Sequence, residues 1–235
     1  MPRPETTDGL DFYLMQARLR ALTEDKEADA IAWFRDRLEQ PGTPAQGLAQ
    51  QYGLAIALQR QRELDEAREW LERLLTRDPD RLAYRLQLAD LDLESGREAE
   101  ALAALEELHL GFPGNHAIAV QYGEALLRSR EPASAAKAAR ILRQQLLDRG
   151  DDPWLHELAA RAASIAGDDV RASEELAESY FHSGSVKEAI EQLEMLSDRE
   201  DLDYYQRARV TARLEEMRIV LQDFDVAEPE DEAPG

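Results

Sequence analysis

The sequence predicts an all-α fold, a right-handed α-solenoid of stacked helical hairpins that ends in a long C-terminal capping helix. Two observations support this prediction. Apolar residues recur at spacings of three and four, which is the pattern of helices with one buried face. Small residues and prolines recur 34 positions apart, at Ala55 and Ala89, Ala67 and Ala101, and Pro79 and Pro113. A fixed period of this length predicts repeats that bury their apolar faces against one another.

Two regular repeats, at about residues 48–81 and 82–115, form the centre of the predicted solenoid. In the first, helix A presents Ala55 and helix B presents Ala67 where the two axes come closest, since larger side chains would push the helices apart. Pro79 ends helix B, because proline lacks an amide donor. Two helices that repeat every 34 residues and close with a proline are typical of the tetratricopeptide (TPR) repeat.

Degenerate hairpins are predicted on either side, so that the repeat domain covers residues 9–224. Their helices, each inferred from its apolar periodicity, begin near Leu10, Glu24, His116, Trp154, Val170, Val186 and Leu202. A lengthened turn is predicted at residues 131–134. Residues 1–8 are predicted to be a flexible leader and residues 225–235 a disordered acidic tail, because both are polar and contain proline.

The charge of the chain excludes several classes of partner. Its 235 residues include 28 Lys and Arg against 49 Asp and Glu, a formal charge of −21. Nucleic acids and anionic membrane surfaces both attract basic proteins, so neither is a predicted partner. No apolar stretch approaches membrane-spanning length, which predicts no membrane insertion. Residues 1–6 do not resemble a signal peptide, so the sequence alone predicts a cytoplasmic protein.

No residue pattern predicts catalysis or a cofactor. The chain has no cysteine, which excludes thiolate metal sites and thiol catalysis. His156 and Glu157 begin an HExxH zinc motif, but Ala160 occupies the place of the second histidine ligand. His109 and His116 are separated by a glycine and a proline, so they do not share a helix. We therefore predict no catalytic residue, no metal site and no cofactor in this chain, which is not expected to be an enzyme by itself.

A peptide-binding groove is the predicted functional site. In TPR solenoids the A helices line the concave face, and the repeat register predicts which side chains point into it. The candidate groove residues are Tyr52, Ile56, Arg60, Leu86, Asp90, Leu93, Val120, Glu124, Leu127, Arg128 and His156. Apolar residues with isolated charges suit an extended or helical peptide of a protein partner. The alternative is that several of these side chains pack against neighbouring helices and line no groove.

Two terminal stretches carry a family resemblance. They are Leu10–Leu19 (LDFYLMQARL) near the N-terminus and, near the C-terminus, Ala189–Leu193 (AIEQL) with Asp203–Arg209 (DYYQRAR). Together with the repeats they resemble the C-terminal TPR domain of BepA/YfgC-type periplasmic zinc metalloproteases. These proteases belong to the HExxH peptidase family that also contains the CAAX prenyl protease. The resemblance covers about residues 8–222.

The resemblance implies a parent protein that is a periplasmic metalloprotease of outer-membrane protein quality control. In it, this chain would bind substrates or assembly partners, such as outer-membrane barrel proteins or their assembly machinery, and would contact the peptidase domain. Zinc is expected only in that peptidase domain, which this sequence lacks, and no zinc ligand of the family matches a residue here. The chain is then a non-catalytic, protein-binding module. The alternative is a free-standing TPR adaptor or self-associating scaffold with no protease attached.

Overall fold

The computed structural model describes residues 7–40 and 42–227, which form twelve helices and no strand. In chain order these are α1 (Thr7–Thr23), α2 (Glu27–Glu39), α3 (Pro44–Arg60), α4 (Leu64–Arg77), α5 (Leu82–Glu94), α6 (Glu98–Gly111), α7 (His116–Arg128), α8 (Pro132–Leu146), α9 (Pro153–Ala166), α10 (Asp169–His182), α11 (Val186–Ser197) and α12 (Tyr204–Ala227). The all-α prediction is confirmed. No helix of the described part combines the length and apolarity needed to cross a membrane.

The predicted leader and tail lie mostly outside the described residues, at positions 1–6 and 228–235. Helix α1 begins at Thr7, so the last two residues of the predicted leader are helical. Helix α12 continues to Ala227 and includes the first three residues of the predicted tail. The second helix begins at Glu27 rather than near Glu24, because residues 24–26 form the turn after α1.

The chain divides into two compact units, residues 1–108 and 109–235. In the first unit, α3 is the central helix, because it packs against α1, α2 and α4. Ala55 of α3 and Ala89 of α5 are both buried, as the repeat register predicted. The core of this unit includes the large side chains of Tyr52, Tyr84, Phe34, Leu54, Ile56, Leu58, Leu71, Leu74 and Leu91.

The 34-residue period extends to the backbone of the turns between helices A and B. Arg62, Gly96 and Arg130 are spaced 34 apart, and all three adopt positive φ values, of 68°, 76° and 56°. Gly167 and Gly184 end α9 and α10 in the same left-handed conformation. A left-handed residue after a helix lets the next amide bond back to a carbonyl of the last turn. Such bonds run from Glu63 to Leu58, Arg97 to Asp92, Asp168 to Ala163 and Ser185 to Tyr180.

The turn before α8 is not lengthened, which corrects the prediction for residues 131–134. Helix α7 ends at Arg128 and α8 begins at Pro132, so this turn has three residues, like the turn between α3 and α4. Pro132 occupies the first helical position, where its missing amide costs no hydrogen bond and its fixed φ suits the helix. The proline therefore starts the helix instead of extending the turn.

In the second unit, each helix from α7 to α11 packs on the helix that follows it. Ion pairs connect the final helix, α12, to α10. Arg209 contacts both carboxylate oxygens of Glu174 at 2.6 and 3.0 Å. Arg213 contacts both oxygens of Glu178 at 2.7 Å. These pairs are bidentate, which is the strong geometry for guanidinium and carboxylate. Beneath them, Met217 is fully buried, so α12 closes the core of this unit.

Candidate binding surface

A chain of hydrogen bonds crosses the A helices of the first unit. Arg18 of α1 and Tyr52 of α3 occupy equivalent repeat positions, and the Arg18 Nη1 donates to the Tyr52 hydroxyl at 3.4 Å. The same Nη1 donates to Gln87 Oε1 of α5 at 2.7 Å. The Gln87 Nε2 in turn donates to Gln59 Oε1 of α3 at 2.7 Å. Each amide thus accepts from one neighbour and donates to the next.

The chain of bonds ends on two carboxylates. The Gln59 Nε2 donates to Asp90 Oδ2 at 2.9 Å and to Glu94 Oε1 at 3.0 Å. Glu94 is also paired with Arg62, which donates to its second oxygen at 3.0 Å. We call the series Arg18, Gln87, Gln59, Asp90 and Glu94 the polar ladder. Gln59 and Gln87 are each 4% exposed, so the two amides connect helices rather than contact solvent.

Sequence reasoning missed the central members of the polar ladder. A polar residue on a repeat helix is ordinarily solvated, so neither Gln59 nor Gln87 stood out. One signal was present: Gln59 stands 34 residues before Leu93, which is 34 residues before Leu127. A glutamine in a position that other repeats give to buried leucines marks a buried polar contact.

Three candidate groove residues of the first unit are buried: Tyr52 and Ile56 are 2% exposed and Leu93 is 6% exposed. Tyr52 and Ile56 are covered because α1 packs along α3 as the A helix of a preceding hairpin. Arg60 closes the turn after α1, donating to the carbonyls of Ala21 at 2.5 Å and Glu24 at 3.1 Å. The groove prediction is therefore wrong for the three buried residues, and the Arg60 guanidinium contacts the turn after α1 instead of a groove.

Leu86 and Asp90 are the candidate residues of the first unit that combine partial exposure with a place on the A-helix face. Both are half-buried. Beneath them the rings of Tyr52 and Tyr84 lie 5.6 Å apart. Burial raises the pKa of Tyr84 to about 12, and burial likewise raises the pKa of Tyr52 although the Arg18 guanidinium opposes the shift. Both phenols are therefore neutral at physiological pH.

The second unit places its five candidate residues in two groups. Val120 is half-buried, and Glu124 and Arg128 are exposed. Leu127 is 3% exposed and His156 is 7% exposed, so neither is available to line a surface. The prediction that Leu127 and His156 line the groove is therefore wrong.

His156 instead links three elements of the second unit. Its Nδ1 lies 2.8 Å from Glu175 Oε2 on α10, and its Nε2 lies 2.9 Å from the carbonyl oxygen of Gly150 in the turn before α9. The ring stacks on His182 at 5.5 Å. Burial lowers the pKa of His156, but the bonds to Glu175 and Gly150 outweigh it and raise the pKa above its usual value. The protonated imidazole suits this site, since both nitrogens then donate.

The described residues contain no group of three or more His, Asp or Glu side chains placed to hold a metal ion. Both ring nitrogens of His156 are engaged with protein acceptors. The incomplete zinc motif at residues 156–160 therefore forms part of the packing between α9 and α10.

Comparison with known proteins agrees with this architecture. The tetratricopeptide repeat family model matches residues 48–91, which include the first regular repeat. The beta-barrel assembly-enhancing protease of Yersinia pestis is 27% identical over 223 residues, covering 95% of this chain and 45% of that protein. The Escherichia coli K12 protein of the same name is 27% identical over 214 residues, covering 91% of this chain and 43% of its own length. The chain thus spans less than half the length of these relatives.

Solved structures share the fold at low sequence identity. A tetratricopeptide repeat protein from Parabacteroides merdae matches with a TM-score of 0.53 and 14% identity, covering 96% of this chain and 95% of that one. MamA (MSR-1) matches with a TM-score of 0.53 and 16% identity, covering 75% of this chain and 97% of that one. These comparisons confirm the predicted TPR-type fold and the predicted resemblance to the assembly-enhancing proteases.

Proposed function

We propose that this chain is a non-catalytic TPR module in which each unit binds an extended protein segment through its own A-helix face. One observation supports this best. Leu86 and Val120 occupy equivalent repeat positions, and so do Asp90 and Glu124, four residues further along each helix. Each unit therefore presents an aliphatic side chain with a carboxylate one helical turn away.

This repeated pair indicates the chemistry of the segment that would bind. An aliphatic contact beside a carboxylate suits a segment that carries both apolar and basic residues. The net charge of −21 would attract such a segment and exclude acidic ones. Apolar residues next to basic ones are accessible mainly in proteins that are unfolded or still being assembled, so we propose an unfolded or assembling protein as the partner.

We further propose that the module works in the periplasm as part of a zinc metalloprotease of outer-membrane protein quality control. The support is the similarity to proteins named beta-barrel assembly-enhancing proteases along more than nine-tenths of this chain. In that setting its partners would be outer-membrane barrel proteins, their assembly machinery, or the peptidase domain of the same protein. The zinc would belong to the peptidase domain.

The test measures binding of a fluorescently labelled, unfolded outer-membrane barrel protein by anisotropy. Neutralising both acids of the proposed surface, Asp90→Asn with Glu124→Gln, should weaken binding at least tenfold, about 1.4 kcal/mol. Asparagine keeps an acceptor oxygen for the Gln59 amide of the polar ladder. The matched control is Glu69→Gln with Glu72→Gln on α4, two exposed acids that lie outside the proposed surface and whose replacement removes the same charge. Equal binding by the two double variants would refute the proposed surface.

A second function, a self-associating scaffold, is favoured by a separate observation. Helix α1 exposes four large apolar side chains at spacings of three, four and three: Phe12, Met15, Leu19 and Leu22 are 63%, 63%, 55% and 46% exposed. This spacing is that of a coiled-coil seam. Sedimentation velocity decides the question: a dimer that Leu19→Gln dissociates would support the scaffold, and a monomer at high concentration would exclude it.

A further inference from the structure

A cavity of about 390 Å³ lies between α1, α2 and α3 in the first unit. It exists because α1 packs along α3 and meets α2 at few positions, whereas α3 packs closely on α4, α7 on α8 and α9 on α10. The small side chains of Ala17 and Ala49 leave the space open, and Trp33 stands on the α2 side. The volume falls within the range of small-ligand sites, roughly 300–1,000 Å³.

The charge of this cavity is opposite to that of the chain. Its lining includes two arginines, Arg20 and Arg37, and no carboxylate, although the protein has 49 acids against 28 bases. Both guanidinium groups lie over the Trp33 ring, at 4.4 and 5.2 Å from its centroid. Arg20 also pairs with Glu24 at 3.1 Å. Arg37 bonds to the Gln40 amide at 3.3 Å and pairs with no carboxylate of the described residues. A guanidinium oriented in this way suits a planar carboxylate.

Two glutamines add complementary groups. Gln50 Oε1 is buried and has no hydrogen-bond partner within the described part of the chain. Gln46 Oε1 accepts from the Thr43 amide at 2.9 Å, and no described residue accepts from its Nε2. The cavity therefore offers cations, an amide donor and an unsatisfied buried acceptor. A ligand that matches all three carries a carboxylate and an N–H donor close to each other.

We propose that this cavity binds the free carboxyl terminus of a partner peptide. The terminal carboxylate would meet Arg37 and Arg20, and the backbone N–H of the last residue would meet Gln50 Oε1. A neighbouring cavity of about 490 Å³ shares Arg37, Gln46 and Gln50 with the first, and its lining also has no carboxylate. It would accept the preceding residues of the peptide. The proposal uses residues other than the A-helix pairs above and goes beyond the proposed function.

The experiment follows the indole signal of Trp33 in two-dimensional ¹⁵N NMR while peptides are titrated into the full chain. The probe is the acetylated tetrapeptide Ala-Ala-Ala-Leu with a free carboxylate, compared with the same peptide as its carboxamide. We expect the acid to shift the Trp33 signal and to bind at least tenfold more tightly than the amide. Arg37→Gln should remove that preference. Arg35→Gln, on the same helix but paired with Glu66 away from the cavity, should keep it.

Three results would overturn the proposal. One is equal binding of the acid and the amide, and the second is undiminished binding of the acid by a folded Arg37→Gln variant. The third is equal binding by an amidated peptide that ends in glutamate, or by inorganic phosphate, since either would mean that the site takes anions without selecting a chain end. Gln50→Leu provides an independent measurement, because it keeps the positive charge and removes the acceptor. We expect it to weaken binding of the acid at least threefold without unfolding the chain.

Discussion

A substitution at Gly53 would test how closely the first hairpin (α1 and α2) packs on α3. A Cβ atom added at Gly53 would overlap Cε1 and Cζ of Phe34 and lie 3.1 Å from its Cδ1. The Phe34 ring is fully buried, so it has no open space into which to move. In an exposed helix, Gly→Ala stabilises by about 1 kcal/mol. Overpacking a filled core costs about 1–3 kcal/mol. Because the new atom overlaps a buried ring, we take the upper part of this range, about 2–3 kcal/mol, and subtract the helix gain of about 1 kcal/mol. We therefore expect Gly53→Ala to destabilise the first unit by about 1–2 kcal/mol.

The same helix provides the control. Gly47 also lies in α3, and a Cβ there would meet nothing within 4 Å. Gly47→Ala should stabilise by about 0.5–1 kcal/mol, because only the conformational entropy of the unfolded chain changes. The assay is urea unfolding followed by tryptophan fluorescence, in a background where Trp154 is replaced by Phe, so that the remaining signals from Trp33 and Trp70 report the first unit.

A double-mutant cycle separates the overlap from other effects. In a Phe34→Leu background the smaller side chain should make room for the new methyl group. Gly53→Ala should then cost at least about 1 kcal/mol less than it does opposite phenylalanine, which is the coupling expected for residues in contact. Equal stabilisation by Gly53→Ala and Gly47→Ala would show that α2 does not pack closely on α3 at Gly53.

Three further predictions concern packing, turns and pH. Ala89→Leu should cost about 1–3 kcal/mol by overpacking, since Ala89 is 1% exposed; unchanged urea unfolding would contradict the repeat register. Arg130→Gly should stabilise the protein by about 0.5–1 kcal/mol, because the left-handed backbone of this turn strains any residue with a side chain. Gly96→Ala, at the equivalent turn, should destabilise it by about 1–2 kcal/mol, and thermal melts of both variants measure the two changes. The raised pKa of His156 means that its contribution to stability is complete below the unfolded value near 6.5 and disappears as pH rises through the folded pKa. The free energy of unfolding should therefore fall with pH relative to His156→Gln, and parallel pH curves would refute the assignment.

The order of the helices could be predicted because their apolar periodicity and 34-residue spacing are local features. The turn before α8 was misjudged for a local reason as well: Pro132 can end one helix or start another, and the following alanines favour the start. The position of Gly53 against Phe34 could not be foreseen. That contact joins residues 19 apart and depends on where one ring lies between two helices.

The candidate surface was harder to predict than the fold. Periodicity shows which side of a helix an amino acid lies on, but not whether another helix covers that side. Tyr52 and Ile56 lie on the expected helix, yet α1 packs over it. The polar ladder depends on pairs separated by 28–69 residues, which no single-helix pattern reveals. Leu86 and Asp90 remained accessible, and their equivalents Val120 and Glu124 keep the predicted groove as a proposal for both units.

The polar ladder also limits how this protein could have changed in evolution. Repeat proteins commonly gain or lose whole repeats, since each copy offers the same apolar face to its neighbours. Here the polar residues of successive copies are complementary and not equivalent. Deleting residues 48–81 would bring α5 into the place of α3, where Leu93 would replace Gln59. Gln87 would lose its acceptor and the ladder would be interrupted. We therefore expect relatives that keep the two buried amides to keep all three of the first hairpins.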